Sequence, residues 1–297
     1  MTPQPQQHES DVDERHRKPN AALTVLLDTT VQLDRQKYRP QDDCVARCLN
    51  HFSFHATSSN ARLEAKRAWI QRLAYLHQEC AYAQNIPELI SRVNRKLGAN
   101  RHHHRMLTTC IDAIAANLSR TSGNITAAAS LLRFRGHLAD AILSFTTWWE
   151  RSVHHEFDGT GCVRAHERPT LDLNRDTINA AIKRCNRSRI QCRIHDLFTE
   201  HKEQFHKIVD AVETERYGAH QSDELRRSVQ EIKKADANAE HLCDDRICAR
   251  LGDSIIAIDG IEMAHYASTN ETEWRPLAEV LQKTYVNPST PLPASSE

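Results

Sequence analysis

The chain has 297 residues, with 39 basic and 39 acidic side chains, so its formal net charge is zero. This balance excludes a generally polycationic protein, and any contact with nucleic acid has to come from local basic patches. The length allows one large domain or two smaller ones with an ample core, while the few aromatic and glycine residues favour a helix-rich fold.

The two ends of the sequence, residues 1–20 and 287–297, are polar and proline-containing and predict disordered tails. No apolar run approaches the ~18 residues of a membrane span, and the first twenty residues lack the apolar region of a signal peptide. We therefore expect no membrane partner and a cytoplasmic location. Nine cysteines without a secretory signal favour reduced thiols over a disulfide framework.

The ordered part begins with a short apolar run, Leu23 to Leu27, which predicts a buried strand of a parallel sheet. A short helix is expected from Thr29 to Arg39, before Pro40. From Gln41 to about His155 the pattern is helical almost throughout, and Ser58-Ser59-Asn60 is suited to capping a long helix. Further helices are expected at 87–97, 105–119 and 127–151.

The second half begins with a loop at 158–161, where glycines cluster. Helices are then expected at 193–215 and 222–234, a buried helical turn at 253–260, a strand at 264–268, a helix at 276–282 and a last strand at 284–286. This order predicts one α/β domain over residues 21–286. Its sheet would come mainly from 21–40 and 240–286, with a large all-helical insertion at about 85–160.

Two acids, Asp28 and Asp253, stand at the edges of apolar elements. In an open α/β sheet such edges are where ligands and metals bind. Cleavage of a phosphodiester needs an activated water and a stabilised leaving oxygen, which Mg²⁺ or Mn²⁺ can supply, and these hard cations prefer carboxylates. Glu64 would add a third acid. Alternatives stay open: Asp28 and Asp253 can be helix caps, and Glu64 can form a surface salt bridge.

The sequence resembles PIN domains, a family of metal-dependent nucleases with a small parallel sheet flanked by helices. The resemblance rests on Leu26-Leu27-Asp28-Thr29-Thr30, Leu63-Glu64, Gly252-Asp253-Ser254-Ile255-Ile256-Ala257 and Tyr266-Ala267-Ser268-Thr269-Asn270. It implies that Asp28, Glu64 and Asp253 bind Mg²⁺ or Mn²⁺. Asn270 stands at the fourth position, where these domains often have an aspartate. It is predicted to have a helper role in catalysis, by coordinating through its carbonyl or holding a metal-bound water, and Glu271, Glu273 or Asp259 could supply a fourth carboxylate.

The resemblance implies RNA as the substrate, cut by a metal-activated water without a covalent intermediate. Among local basic groups, Arg62 and Arg67 flank Glu64 and are predicted to contact phosphates, and Thr269 could orient a phosphate or a water. An inhibitory protein partner, as in toxin–antitoxin members of the family, and a homo-oligomer stay open. So does the reading of these basic residues as ordinary solvated helix faces.

Four cysteines, Cys185, Cys192, Cys243 and Cys248, could close a structural Zn²⁺ site. Their spacings differ from the usual two-to-four-residue knuckle, and free thiols packed as small apolar side chains are the alternative.

The sequence thus predicts a PIN-like, Mg²⁺- or Mn²⁺-dependent endoribonuclease. Two other hypotheses remain. One is a catalytically degenerate PIN domain that binds RNA or protein, which the presence of Asn270 favours. The other is a helical interaction scaffold, which would lack a parallel sheet.

Overall fold

The computed structural model describes residues 23–35, 44–97, 126–168, 192–214, 222–238, 241–242 and 245–290. Five parallel strands form one sheet: β1 (Thr24–Leu27), β2 (Phe54–Ser58), β3 (His155–Phe157), β4 (His265–Ala267) and β5 (Thr284–Val286). Their spatial order is β3-β2-β1-β4-β5. The chain therefore leaves β1 on one side to build β2 and β3, and returns to its other side with β4. This all-parallel sheet confirms the predicted α/β class and excludes the scaffold without a sheet.

Helices cover both faces of the sheet and continue beyond it. None of the described helices is both long and apolar enough to span a bilayer. In chain order they are α1 (Thr29–Arg35), α2 (Cys44–Leu49), α3 (Ser59–Cys80), α4 (Ile86–Leu97), α5 (Ala128–Leu143), α6 (Phe145–Ser152), α7 (Val163–His166), α8 (Ile194–Glu200), α9 (Lys202–Glu213), α10 (Asp223–Ala237), α11 (Asp245–Arg250), α12 (Gly252–Asp259) and α13 (Glu271–Val280).

The central strand β1 is buried on both faces, which is why it reads as a continuous apolar run. Because side chains alternate along a strand, Leu26 joins the main core, while Val25 and Leu27 join a smaller core against α1 and α2. Gly260, which ends α12, packs on Leu26 so closely that a Cβ there would overlap its side chain.

Helix α3 connects the sheet to a separate helical layer. Ser58 caps its start, as predicted, by accepting a hydrogen bond from the Asn60 backbone N–H at 3.0 Å. Its second half packs against α4 and α5 in a core of its own, which includes Leu73, Leu89 and Phe134. The helix predicted at 127–151 is confirmed in part, because residues 128–152 form two helices that meet at Ser144 instead of one.

Strands β2 and β3 were not predicted. Three of the five strands come from residues 21–40 and 240–286, where the sheet was mainly expected. The expectation that 41–155 is almost entirely helical is wrong at residues 54–58, and the strand at 155–157 interrupts the all-helical insertion expected at about 85–160. Both strands are short and rich in polar residues, and β2 is held by pairing with β1, including a hydrogen bond from the Thr57 hydroxyl to the Leu27 carbonyl at 2.9 Å. Long-range pairing of this kind leaves little apolar periodicity in the sequence.

The C-terminal elements follow the prediction more closely. Strands β4 and β5 and helix α12 lie where they were expected, whereas α13 begins five residues earlier, at Glu271. The helix expected at 193–215 is interrupted at His201. The helix expected at 105–119 and the tail at 1–20 lie outside the described residues. Within the tail predicted at 287–297, residues 287–290 form a turn in which the Thr290 N–H donates to the Asn287 carbonyl at 3.1 Å.

Candidate functional site

The carboxyl ends of β1 and β4 lie side by side at the point where the chain changes direction in the sheet. Asp28 follows β1 directly, and Ser268 follows β4. The start of α3 comes directly after β2 on the other side of β1. Open α/β sheets bind their ligands at this kind of crevice.

Asp28 is fixed by a set of hydrogen bonds at this edge. Its side chain is 1% exposed. Its two oxygens accept from the Thr29 N–H at 2.6 Å, the Thr30 hydroxyl at 2.7 Å, the Thr30 N–H at 3.3 Å and the Ser268 hydroxyl at 2.8 Å. Burial raises the pKa of Asp28 above its usual value, and these hydrogen bonds oppose the rise by favouring the anion. Asp28 therefore caps α1, as the alternative hypothesis had it, and also contacts β4.

Glu64 reaches the same edge from the second turn of α3. The Thr29 hydroxyl donates a hydrogen bond to its Oε2 at 3.2 Å. Its other oxygen lies against Gly252, where any Cβ would overlap Oε1. The glycine before Asp253 thus lets the start of α12 approach the Glu64 carboxylate closely.

Asp253 interacts with three other acids. Its pKa is raised well above the usual value, first by burial, then by a hydrogen bond with Glu273 and by the negative charges of Asp28, Glu64 and Glu273. A carboxyl group that is buried among other acids disfavours its charged form, and a bound cation would relieve this repulsion. The structure therefore brings together the three predicted acids and adds Glu273.

Asn270 orients the Glu273 carboxylate through a hydrogen bond, and Glu273 supplies the fourth carboxylate of the cluster. The Asn270 side-chain amide donates to Glu273 Oε2 at 2.7 Å, and its backbone N–H donates to the Ser268 hydroxyl at 2.9 Å. Because Ser268 in turn donates to Asp28, Asn270 is connected to two of the acids. Thr269 is next to it, and its N–H donates to the Thr30 hydroxyl at 3.2 Å.

The other two candidates for the fourth carboxylate lie elsewhere. Glu271 forms a surface ion pair with Arg275 at 2.6 Å. Asp259, at the opposite end of α12 from Asp253, accepts from the Gly159 N–H at 2.9 Å, and burial raises its pKa to about 6. Of the three acids left open by the sequence, Glu273 is the one that interacts with Asp253.

The chemistry of this acid cluster suits a hard divalent cation. No ion pair within the described part of the chain includes Asp28, Asp253 or Glu273, although burial disfavours the charged forms of Asp28 and Asp253. Oxygen ligands of this kind are what Mg²⁺ and Mn²⁺ prefer. Among the described residues, however, no three His, Cys, Asp or Glu side chains are already arranged to hold an ion.

A cavity of about 330 Å³ lies beside the acids. Three of them form part of its wall, and helices α10 and α11 contribute basic and apolar side chains. The lining residues are Glu64, Asp253, Glu273, Gly252, Ser254, Leu277, Glu224, Leu225, Arg227, Ser228, Ala249 and Arg250.

The structure does not support Arg62 as a phosphate contact. Its side chain is 5% exposed, and its guanidinium pairs with Glu156 at 3.2 Å and with Glu150 at 3.5 Å. If this buried arginine turned to a ligand, it would leave its carboxylate partners unpaired, which is costly, so it is not offered to a phosphate. Arg67 is partly buried on α3 and is not part of the cavity wall. The basic residues of the wall, Arg227 and Arg250, were not singled out from the sequence.

The four cysteines of the zinc hypothesis are only partly described. Cys185 and Cys243 lie outside the described residues. The Cys248 thiol donates to Asn60 Oδ1 at 3.7 Å, and Cys192 lies near Cys162, where its thiol helps to raise the pKa of Cys162, after the larger effect of burial. The two described cysteines thus have different neighbours, and the zinc site stays a prediction.

Ser268 and Thr30 also belong to the site and were missed as functional residues. Both are hydroxyl donors to Asp28. The signal was present, since Ser268 lies one residue and Thr30 three residues after a strand end, but hydroxyl groups at such positions are common turn residues. Comparisons of the chain with protein-family models, with curated proteins and with solved structures found no match.

Proposed function

We propose that this protein is a Mg²⁺- or Mn²⁺-dependent endoribonuclease of the PIN type. One observation carries the proposal: four acids that are distant in sequence interact at the carboxyl edge of a small parallel sheet. They are Asp28, Glu64, Asp253 and Glu273. Asp28 after a strand, Glu64 on a helix and Asp253 at a helix start have the placement that the family resemblance implies. Glu273 lies in the first turn of α13, three residues after the fourth position, where Asn270 stands.

The chain's own residues would prepare the site for a cation. Asp28 is held by the Thr30 and Ser268 hydroxyls, and Glu273 by the amide of Asn270. Such hydrogen bonds orient ligating carboxylates and raise metal affinity. A bound divalent cation would supply Lewis-acid stabilisation of the phosphodiester and lower the pKa of a water molecule.

The substrate would enter through the cavity beside Glu64, Asp253 and Glu273. There the acids would orient the scissile phosphate through the cation, and an acid would be available to accept a proton from the attacking water. RNA is proposed over DNA on the resemblance to PIN domains.

The direct test is cleavage of an end-labelled single-stranded RNA by the purified protein in Mn²⁺, with an EDTA-treated sample and the Asp28→Asn variant in parallel. The proposal expects RNA fragments only from the wild-type protein in Mn²⁺. Identical traces from wild type and Asp28→Asn would refute it, and RNA binding without cleavage would favour the degenerate binding module, for which Asn270 is the supporting residue.

Metal binding has a separate readout in the melting temperature. We expect Mn²⁺ to raise the Tm near neutral pH, because it would stabilise carboxylates whose pKa values are raised in the folded protein. A cation at a hundredfold excess over its Kd stabilises by about 2.7 kcal/mol, which corresponds to a Tm rise of about 5–10 °C. The rise should shrink as the pH falls towards about 4, where protons compete for the same oxygens.

The matched control for this measurement is Glu271→Gln, which removes an acid from the same helix as Glu273 but from an exposed ion pair. It should keep the full Mn²⁺ response. A wild-type Tm that does not respond to Mn²⁺ at neutral pH would contradict the metal site whatever the cleavage assay gives.

A further inference from the structure

Two helices that do not carry the four acids also line the cavity. Helix α10 (Asp223–Ala237) contributes Arg227, and helix α11 (Asp245–Arg250) contributes Arg250. Both arginines therefore share a cavity wall with Glu64, Asp253 and Glu273. A polyanion placed against the acids would have these two cationic groups beside it.

Arg250 is held in place by a buried acid. Its Nη1 donates to Glu231 Oε1 at 2.5 Å, and the Glu231 side chain is 2% exposed. Glu231 also accepts from His241 at 2.6 Å and from Lys234 at 3.4 Å. Two permanent cations, Arg250 and Lys234, thus flank one carboxylate, which leaves one net positive charge before His241 is counted. Since a guanidinium has five N–H donors, Arg250 retains donors for a second anion.

Arg227 is also available to an anion. Its side chain is 60% exposed, and its ion pair with Glu224 is exposed as well and 3.8 Å long. Exposed pairs of this kind contribute little to stability, so a phosphate could replace the carboxylate at small cost. The Arg227 side chain needs no reorganisation of the core to reach a ligand in the cavity.

We propose that α10 and α11 form the substrate-binding wall, where Arg227 and Arg250 contact backbone phosphates of a single-stranded RNA next to the phosphate that is cut. This proposal rests on the proposed function. It adds the residues that bind the RNA and the single-stranded form of the RNA, which the proposed function leaves open. A cavity of about 330 Å³ is at the lower end of the size range of small-molecule sites. It can take a nucleotide of an unpaired strand, whereas a duplex is too wide to enter it. Leu225 and Leu277 give this nucleotide apolar contact.

The test measures binding without cleavage. A fluorescently labelled single-stranded RNA is titrated by anisotropy in EDTA, at several KCl concentrations, with wild type, Arg227→Gln, Arg250→Gln and Arg226→Gln. Each lost phosphate contact should reduce the slope of log K against log salt by about 0.7 and weaken binding several-fold at low salt. Arg226 is the matched control, because it is the exposed neighbour of Arg227 and is not part of the cavity wall.

The expected result is a reduced slope for Arg227→Gln and Arg250→Gln and an unchanged slope for Arg226→Gln. Equal effects from all three variants, or no effect from any, would overturn the proposal. Competition by duplex RNA as strong as that by the single strand would overturn the single-stranded assignment. Arg250 pairs with buried Glu231, so the Tm of the Arg250→Gln variant is measured alongside to detect a loss of folding. Arg227 is exposed, so the Arg227→Gln variant gives a test that does not depend on folding.

The two proposals can fail separately. If the variants reduce the salt slope as expected but wild type gives no RNA fragments in Mn²⁺, the nuclease proposal is rejected and the substrate-binding wall is kept. Cleavage that is insensitive to Arg227→Gln and Arg250→Gln would keep the nuclease and reject the wall.

Discussion

Replacing Asp253 with asparagine is expected to raise the melting temperature of the metal-free protein and to remove its RNA cleavage. Burial, a hydrogen bond with Glu273 and three neighbouring acids raise the pKa of Asp253 well above its usual value. Each unit of such a rise is about 1.4 kcal/mol that the ionised group costs the folded state at neutral pH. Asparagine has the same shape and no charge, and its amide can still donate to Glu273.

The pH dependence of this gain follows from the direction of the pKa shift. An acid with a raised pKa in the folded state stabilises the protein most at low pH, and this contribution is lost as the pH rises through its folded pKa. The Asp253→Asn variant should therefore melt a few degrees above wild type near pH 7, since about 1 kcal/mol shifts the Tm of domains of this size class by about 2–4 °C. The difference should vanish below about pH 4, where both side chains are neutral.

Cleavage should change in the opposite direction. Lewis-acid catalysis supplies several kcal/mol, and each 1.4 kcal/mol is about tenfold in rate, so losing a carboxylate of the site should cost roughly a hundredfold or more. Asp259→Asn is the matched control: it removes a second partly buried acid of raised pKa from the same helix, but one that binds Gly159 and not the cluster. A variant of Asp253 that melts lower than wild type near pH 7, or cuts RNA as fast, would contradict the account.

The sequence was sufficient for those parts of the site that adjoin apolar elements. β1 is buried on both faces, so its apolar run marked both the strand and the acid that follows it, Asp28. Asp253 was visible for the same reason, at the start of a helix whose following residues are buried. What joins them is the order of the strands, and this depends on pairing between residues that are far apart in the chain.

The polar strands and the buried charges were beyond sequence reasoning. β2 and β3 contain histidine, threonine, serine and glutamate. When the neighbouring strands are unknown, segments of this composition look like the solvent-exposed part of a helix. Arg62 was expected to face solvent, because nothing local reveals that Glu156, on β3, lies beside it. Glu156 itself is placed there only by the pairing of β3 with β2.

Glu273 was missed as the clear fourth acid because the start of its helix was misplaced. Pro276 is a residue type that often begins helices, so the helix was expected from that position. The helix begins at Glu271 instead, and Pro276 lies inside it. With Asn270 as the residue before the helix, Glu273 falls three residues later on the same side, within reach of both Asn270 and Asp253.

Glu273→Gln is accordingly expected to lower Mn²⁺-dependent cleavage by roughly tenfold to a hundredfold without lowering the Tm of the metal-free protein, since it also removes a charge that repels Asp253. The Glu273 side chain is partly exposed, so its loss leaves no cavity in the core, while it removes one of the four charges that would bind the cation. Single-turnover cleavage at saturating RNA, measured over a range of Mn²⁺ concentrations, should show that the variant needs more Mn²⁺. Glu271→Gln, two residues away and in a surface ion pair, should cut like wild type.

The decisive comparison adds a carboxylate back at position 270. In the Glu273→Gln background, Asn270→Asp would place an acid beside the Ser268 hydroxyl. Aspartate is the residue that PIN domains often have at this position. Part of the lost Mn²⁺ affinity and cleavage should return, because the cluster regains its fourth charge at a position connected to Asp28 through Ser268. If Glu273→Gln cuts like wild type, or if its defect is the same with and without Asn270→Asp, then Glu273 is not the acid that replaces the missing aspartate.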